Sequence, residues 1–279
     1  MHDLKGLSYR SPIGYMAAIG MLRVLTQDRG LDVRLGWRDG HAVIDGIEPQ
    51  LAIDELAANM VERSQSPEFN WADTPKKISA DVYRAACDQM KKDCRAIAFM
   101  AGWGTDAVLR RDGSISVSRI DMTAGNQKLL RDLRNLAPRI TRNHFVTALN
   151  GGNYEEQSSF GLDPVAVRTH AHEHEAPTKT ARPGKPGLIW LAFESVPLHP
   201  TFPIAPNRAA TAGWRWKQNG GSAYVWPVWT DHLTVEEVAL IRMMPVELLS
   251  ERPELVEIWS SRLGESGEYS CLLPAHRER

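Results

Sequence analysis

Gly6-Leu7-Ser8-Tyr9-Arg10-Ser11-Pro12-Ile13-Gly14-Tyr15-Met16-Ala17-Ala18-Ile19-Gly20-Met21-Leu22-Arg23-Val24-Leu25 is the stretch on which the fold turns. Ser11 is placed to cap a helix, and Pro12 falls at the first helical position, where a missing N–H costs nothing. Gly30 is placed to end that helix in a left-handed conformation. The residues between are apolar almost all round, which predicts a buried helix over 12–29 rather than a surface one. Gly14, Ala17, Ala18 and Gly20 would let neighbouring backbones approach closely. The apolar run 12–25 is too short to span a bilayer and contains Arg23, and the charge upstream is weak for a secretory leader. It reads as the first core helix.

Outward from this helix, residues 31–38 alternate. Leu31, Val33, Leu35 and Trp37 share one face, and Asp32, Arg34, Gly36 and Arg38 share the other. Asp39-Gly40 is a strong two-residue hairpin turn, and His41–Asp45 returns. An amphipathic helix is predicted over 50–63. Ser79 is placed to cap a long helix over 80–99 that turns Val82, Ala85, Ala86, Met90, Cys94 and Ile97 inward. Gly102-Trp103-Gly104 reads as a turn. A second hairpin turns at Asp112-Gly113, with Ile115, Val117 and Ile120 on one side. Helices are predicted over 124–137 and 142–149, with Gly151-Gly152 as a stop.

The texture then changes. The stretch 169–187, rich in His, Pro, Thr, Lys and Gly, reads as a surface loop or linker. Residues 188–193 read as a short buried strand, and the proline-dense 192–206 as an extended path. A third hairpin is predicted from 211–217 and 222–229 around Asn219-Gly220-Gly221. Thr234-Val235-Glu236-Glu237 is a capping box opening a helix through Met243. A last helix over 253–263 and a strand over 269–273 complete the chain. Helices and antiparallel hairpins mix without a regular β-α-β alternation, so the class is α+β with a buried N-terminal helix. The organisation predicted is an α+β lobe over 1–168, the linker 169–187 and a C-terminal hairpin and helical lobe over 188–279, or one continuous domain.

The 279 residues carry a net charge of −1, so the chain is not a polycation and any nucleic-acid contact must come from a local patch. Cys87, Cys94 and Cys271 are too few for a disulfide framework and suit reduced thiols in a cytoplasmic protein. On one helix, Cys87 and Cys94 would stand about 10 Å apart along the axis, beyond disulfide reach. There is no Gly-x-x-x-x-Gly-Lys-Ser/Thr phosphate loop. His2-Asp3 is a lone dipeptide, and Ser158, Ser159 and Ser195 lack a nucleophile-elbow context. No cofactor and no membrane partner are expected.

Three constellations remain. Between Val108 and Phe145, Arg110, Arg111, Arg119, Lys128, Arg131, Arg134, Arg139 and Arg142 face only Asp112, Asp121 and Asp132, a local charge of +5. On the predicted helix 124–137, Lys128, Arg131 and Arg134 lie on one face and Leu129, Leu133 and Leu136 opposite. A core-docked helix with a basic outer face suits phosphate contacts, and equally suits a solvated face paired with acids elsewhere. Trp214 and Trp216 share a strand face and are candidates for stacking bases, for anchoring an interface, or for filling a core. His170, His172 and His174 alternate as a metal-ligand set would, but their proline-, glycine- and charge-rich flanks favour a solvated loop.

The opening also resembles the start of CRISPR-associated proteins of type I-G (formerly I-U) systems, a Leu-x-Gly…Pro-Leu-Gly-Phe-Leu-Ala-Ala-Leu-Gly-Leu-Leu-Arg pattern occupied here by Leu4, Gly6 and Pro12 to Arg23. Val33-Arg34-Leu35-Gly36-Trp37 resembles the strand that follows. Asp121-Met122-Thr123-Ala124-Gly125-Asn126-Gln127 is similar to an Asp-x-Thr-Ala-Gly-x-Gln element. Leu162-Asp163-Pro164, with Arg168 and Pro177, resembles a Trp-Asp-Pro…Arg…Asp-Pro segment. Leu188 to Phe193, followed by Val196-Pro197-Leu198-His199-Pro200, resembles a Leu-Ala-x-x-x-Leu-Pro-Leu-Phe-Pro element. The chain departs from these patterns at Leu162, where Trp is usual, and at His199, where an aromatic is. The resemblance implies a non-catalytic subunit or accessory factor of an RNA-guided antiviral effector complex, docking on other CRISPR-associated subunits with a contact to guide RNA or target DNA. It supplies no catalytic residues. The alternatives are a metal-dependent hydrolase or nuclease using the His-rich loop, and a pure protein–protein adaptor.

Overall fold

Turn chemistry builds the first sheet. β2 (Arg34–Arg38) and β3 (His41–Asp45) form the expected hairpin, with Asp39 at φ 53° and Gly40 at φ 92°, the two positive values that such a tight turn needs. β1 (His2–Ser8) pairs antiparallel with β3, giving the order β1-β3-β2. The computed structural model describes residues 1–63, 65–123, 127–165, 183–216, 221–249, 251–252, 255–266 and 269–278.

Helix α1 (Pro12–Arg23) starts at Pro12 as expected, and all of its residues are buried. Ser11 stands at the N-cap but makes no side-chain cap bond; its N–H donates instead to the Ser8 carbonyl at 3.2 Å. Beyond Arg23 the helix widens into a π-type turn over Val24–Asp28, and Gly30 leaves it at φ 69°. Close approach is what the small residues provide. A Cβ on Gly20 would lie 1.9 Å from the Leu191 carbonyl oxygen, and one on Gly14 2.3 Å from that of Ser8.

Leu191 belongs to a helix, Pro186–Glu194, and not to the strand predicted over 188–193. A short run apolar on every side suits either structure, and here α1 packs on it from one side and a second helix from another. The linker prediction is corrected at its C-terminal end: Pro183–Gly184 is strand β7, and Pro186 opens this helix. Residues 166–182 lie outside the described residues. The extended path 192–206 is likewise interrupted by the end of the helix and a 3-10 turn at Val196–Leu198 before β8 (Thr201–Ala205) pairs with β9 (Arg208–Thr211).

α2 (Pro49–Arg63) and α3 (Pro67–Asn70) precede two helices where one was predicted, α4 (Ala80–Met90) and α5 (Cys94–Trp103). Ser79 caps the first through Val82 N, and Asp93 restarts the second by accepting from Ala96 N at 3.0 Å. The break rotates the inward face: Tyr83, Ala86, Met90, Phe99 and Met100 are buried, whereas Val82, Ala85 and Cys94 are exposed. Cys87 and Cys94 accordingly stand on different helices, both as free thiols. Gly102 and Trp103 end α5, and no turn intervenes before β4 (Gly104–Leu109), which pairs with β5 (Ile115–Val117). α6 (Leu129–Leu136) and α7 (Arg142–Asn150) follow, the latter stopped by Gly151 at φ 86°. Residues 124–126 of the predicted helix lie outside the described residues. β6 (Glu155–Glu156) pairs with β7.

The third hairpin is present as β10 (Trp214–Trp216) and β11 (Ser222–Trp229); of its predicted turn, 219–220 lies outside the described residues. The capping box at Thr234 opens the helix Val235–Met243. The predicted helix over 253–263 is instead β12 (Leu255–Ser266), held by β11 on one edge and by β13 (Tyr269–Leu272) and β14 (His276–Arg277) on the other. The class is α+β, as expected. Paired bonds between Leu35 and Leu233, and Trp229 Nε1 donating to the Leu35 carbonyl at 2.8 Å, tie the first sheet to this last one.

Buried apolar side chains from Leu4 to Leu272 form one connected core. Within it lies a buried ionic network, which Arg95 joins from the half-buried side by approaching Glu68 at 3.3 Å. Arg23 donates to Glu194 Oε2 at 2.5 Å, to the Glu194 carbonyl at 2.7 Å and to both oxygens of Asp28. Arg63 donates to Glu194 Oε1 at 2.8 Å, to Ser66 at 2.9 Å and to Glu68. Each buried charge meets an opposite one, which is the condition for keeping charges out of water.

Candidate nucleic-acid interface

The local hydrogen bonding of two turns builds a polar groove of about 450 Å³ lined by Lys76, Arg110, Ser116, Arg119, Asp121 and Thr123, with Ala209, Leu263 and Ser270 opposite. Arg110 stands at the β4–β5 turn, where its carbonyl accepts from Gly113 N and its N–H donates to the Ser114 carbonyl. The Asp112 carboxylate accepts from Ser114 N and Oγ at 3.0 and 2.6 Å, bonds that hold its pKa below the ordinary value. Asp121 accepts through Oδ1 from Thr123 N at 3.1 Å and from Thr123 Oγ1 at 2.5 Å, a side-chain-closed turn. Lys76 Nζ lies 3.2 Å from the same oxygen and donates to the Thr123 carbonyl.

Arg119 is the hinge of the site. Its N–H donates to Thr211 Oγ1 at 3.0 Å, and its guanidinium lies over the Trp216 ring. Burial, and then the neighbouring charge of Arg110, lowers its pKa. Among the described residues no carboxylate forms an ion pair with Arg110, Arg111 or Arg119. Two arginines without an ion-pair partner beside an open groove are a place for an anion.

The structure divides the eight predicted basic residues. Arg110, Arg111 and Arg119 gather on the β4–β5 side. Those on α6 and α7 are engaged elsewhere. The leucine face of α6 is buried as expected, but Arg134 does not point freely outward: it donates to the Phe69 and Ala72 carbonyls at 2.6 and 2.8 Å and to Asp73 at 2.5 Å. Arg131 pairs with Asp132 at 3.1 Å, Arg139 donates to Gln157, and Arg142 pairs with Asp54 at 2.6 Å. Lys128 is half-buried at the N-cap of α6. Trp214 and Trp216 part company as well. Trp214 is buried against Tyr224, whereas Trp216 is 50% exposed. Lys76 is not among the sequence candidates, and Asp121 is, apart from the Asp-x-Thr-Ala-Gly-x-Gln resemblance, only one of the acids set against the basic stretch.

A second polar cluster is internal. His199 is fully buried, with Nδ1 2.8 Å from the Ser195 carbonyl and Nε2 2.9 Å from Tyr224 Oη. The carbonyl can only accept, so Nδ1 carries the proton and Tyr224 donates to Nε2. Burial and the nearby charge of Arg242 hold its pKa well below 6.5. Arg242 lies against the rings of Tyr15 and Tyr224, and burial pushes the Tyr15 pKa up to about 12.

His170, His172 and His174 lie outside the described residues. Among the described residues no three His, Cys, Asp or Glu side chains are grouped to hold a metal ion, and no helix is long and apolar enough to cross a membrane. No protein-family model matches the chain, and no curated protein matches it in sequence. The family expectation therefore stands on the quoted motifs alone.

Proposed function

We propose that this chain is a non-catalytic, nucleic-acid-contacting component of an RNA-guided antiviral assembly of the type I-G CRISPR-associated kind, docking on other subunits of that assembly in the cytoplasm. One observation carries the contact: Arg110 and Arg119 line a polar groove and form no ion pair with a carboxylate among the described residues, and Arg119 is stacked on a half-exposed tryptophan. Cations of this kind meet phosphate, and flat side chains meet bases. The ordered motifs from Leu4 to Pro200 support the assembly in which the contact is made.

The test is binding of the purified chain to labelled single- and double-stranded RNA and DNA by fluorescence anisotropy across a salt series. Binding should weaken with salt. The triple variant Arg110→Glu, Arg111→Glu, Arg119→Glu should abolish it. Each single neutralisation should lower the log–log salt slope by about 0.7 on single strands and about 0.9 on duplex. Failure to bind any of the four nucleic acids, with cross-links from these arginines reaching only protein in the assembled complex, would replace this reading with the adaptor one.

A further inference from the structure

The helix Val235–Met243 is apolar on both of its sides. Val235 and Val238 are buried in the core, as a surface helix requires, yet on the outer side Leu240 is 69% exposed and Met243 47% exposed. Two grooves flank the end of this helix, and Ile241 and Met244 line both. One, of about 250 Å³, continues over Trp229, Leu233, Leu240 and Leu255. The other, of about 300 Å³, continues over Phe202, Trp214, Pro227 and Leu249. Open apolar surface with methionine and aromatic side chains is the kind that a protein partner covers.

The charges around these grooves select the partner. Asp231 and Glu237 line the first groove together with Arg252. Glu236 is exposed one turn before Leu240, on the same outer stripe of the helix, and Glu251 is exposed next to Arg252. Among the described residues from 231 to 252, four exposed carboxylates thus stand against one exposed guanidinium. An apolar ridge between grooves, with acids at the opening turn of its helix, complements an amphipathic helix whose leucine-like face is bordered by lysine or arginine.

We infer that the outer side of the helix Val235–Met243 docks a basic amphipathic helix of another protein subunit. The apolar face of that helix enters the grooves beside Leu240 and Met243, and its cations meet Asp231 and Glu236. This rests on the subunit-docking part of the reading above and gives the docking a place and a partner chemistry.

The experiment measures anisotropy of two labelled synthetic peptides of about eighteen residues, sharing one leucine face and carrying either lysine or glutamate elsewhere, against the full chain. The lysine peptide should bind, and the glutamate peptide should bind about tenfold more weakly or worse. The pair Leu240→Gln and Met243→Gln should weaken the lysine peptide by about tenfold, the scale of one buried leucine. Both side chains are already exposed, so a thermal melt of that variant should match the parent. The pair Asp231→Lys and Glu236→Lys should swing the preference towards the glutamate peptide. No binding of the lysine peptide, equal binding of the two, or indifference to both pairs of substitutions overturns the docking site. So does light scattering that finds the parent dimeric and the glutamine variant monomeric, because a second copy then covers this face. Oligonucleotide binding through Arg110 and Arg119 is read separately, so these outcomes leave the nucleic-acid contact in place.

Discussion

The guanidinium carbon of Arg119 lies 4.4 Å from the ring centre of Trp216, joining the loop after β5 to the outer end of β10. This cation–aromatic contact puts the one tryptophan with half its surface exposed beside the groove. Trp216→Ala should weaken binding of single strands by about 1–3 kcal/mol, the usual worth of one stacked base. Trp216→Phe should remove most of the fluorescence quenching that oligonucleotide causes. Quenching that survives this change would place the base elsewhere.

Arg134 and Arg131 should behave differently despite sharing a helix face. Arg134 holds the carbonyls of Phe69 and Ala72, so Arg134→Glu should destabilise the fold by about 1–3 kcal/mol in urea denaturation. Arg131, 44% exposed and paired with its neighbour Asp132, should tolerate Arg131→Glu within about 0.5 kcal/mol. Equal effects would contradict the carbonyl-holding role.

Glu194 neutralises both Arg23 and Arg63 in the interior. Removing its charge in Glu194→Gln leaves Arg23 with Asp28 and Arg63 with Glu68 but takes the shared carboxylate from both, and should cost about 1–3 kcal/mol, the worth of hydrogen bonds to a charged group. A melting temperature unchanged from the parent protein would show that water reaches this network.

At Gly20 the Leu191 carbonyl leaves no room for a methyl group. Gly20→Ala should therefore destabilise by about 1–3 kcal/mol, although alanine is the better helix former. The sign of this change, read from a denaturant midpoint, tests whether α1 and the Pro186–Glu194 helix touch backbone to backbone.

His199 should make the fold sensitive to mild acid. Its folded pKa is depressed, so below about pH 6.5 the unfolded chain takes up a proton that the native state refuses. Stability contributed by the neutral imidazole is present above that value and is lost as pH falls towards the folded pKa, by at most about 1.4 kcal/mol per pH unit. Urea titrations at about pH 7.5, 6.5 and 5.5 should show this slope, and His199→Asn should flatten it. An identical slope in the variant would assign the effect to another group.

Local chemistry was legible where it dictates geometry by itself. Asp39-Gly40, the Thr234 capping box and Pro12 each impose their backbone on any context. The misread elements are those that neighbours decide. Residues 188–193 carry no period because every side of that helix is covered. The helix predicted over 253–263 is a strand instead, because Leu255 and Ile258 are buried in a sheet whose partner strands only the folded chain supplies. The break between α4 and α5 had a visible signal in Asp93, a good N-cap residue inside an apparently continuous helix. For the site, clustering of charge along the sequence found Arg110, Arg111 and Arg119. It could not separate them from Arg134 or Arg142, whose partners Asp73 and Asp54 come from distant segments. Nor could it bring Lys76 and Trp216 to the same surface.

The network around Glu194 has a consequence for how the protein is made. A ribosome delivers Arg23 with Asp28, and Arg63 with Glu68, in the first half of the chain, but the carboxylate that joins the two arginines arrives only with residue 194. The tie between α1 and α2 through their guanidiniums is therefore closed late, by a side chain from the second half. A gene split within the 166–182 segment should yield two pieces that reach full stability only when co-expressed, because each arginine is one partner short without the other piece.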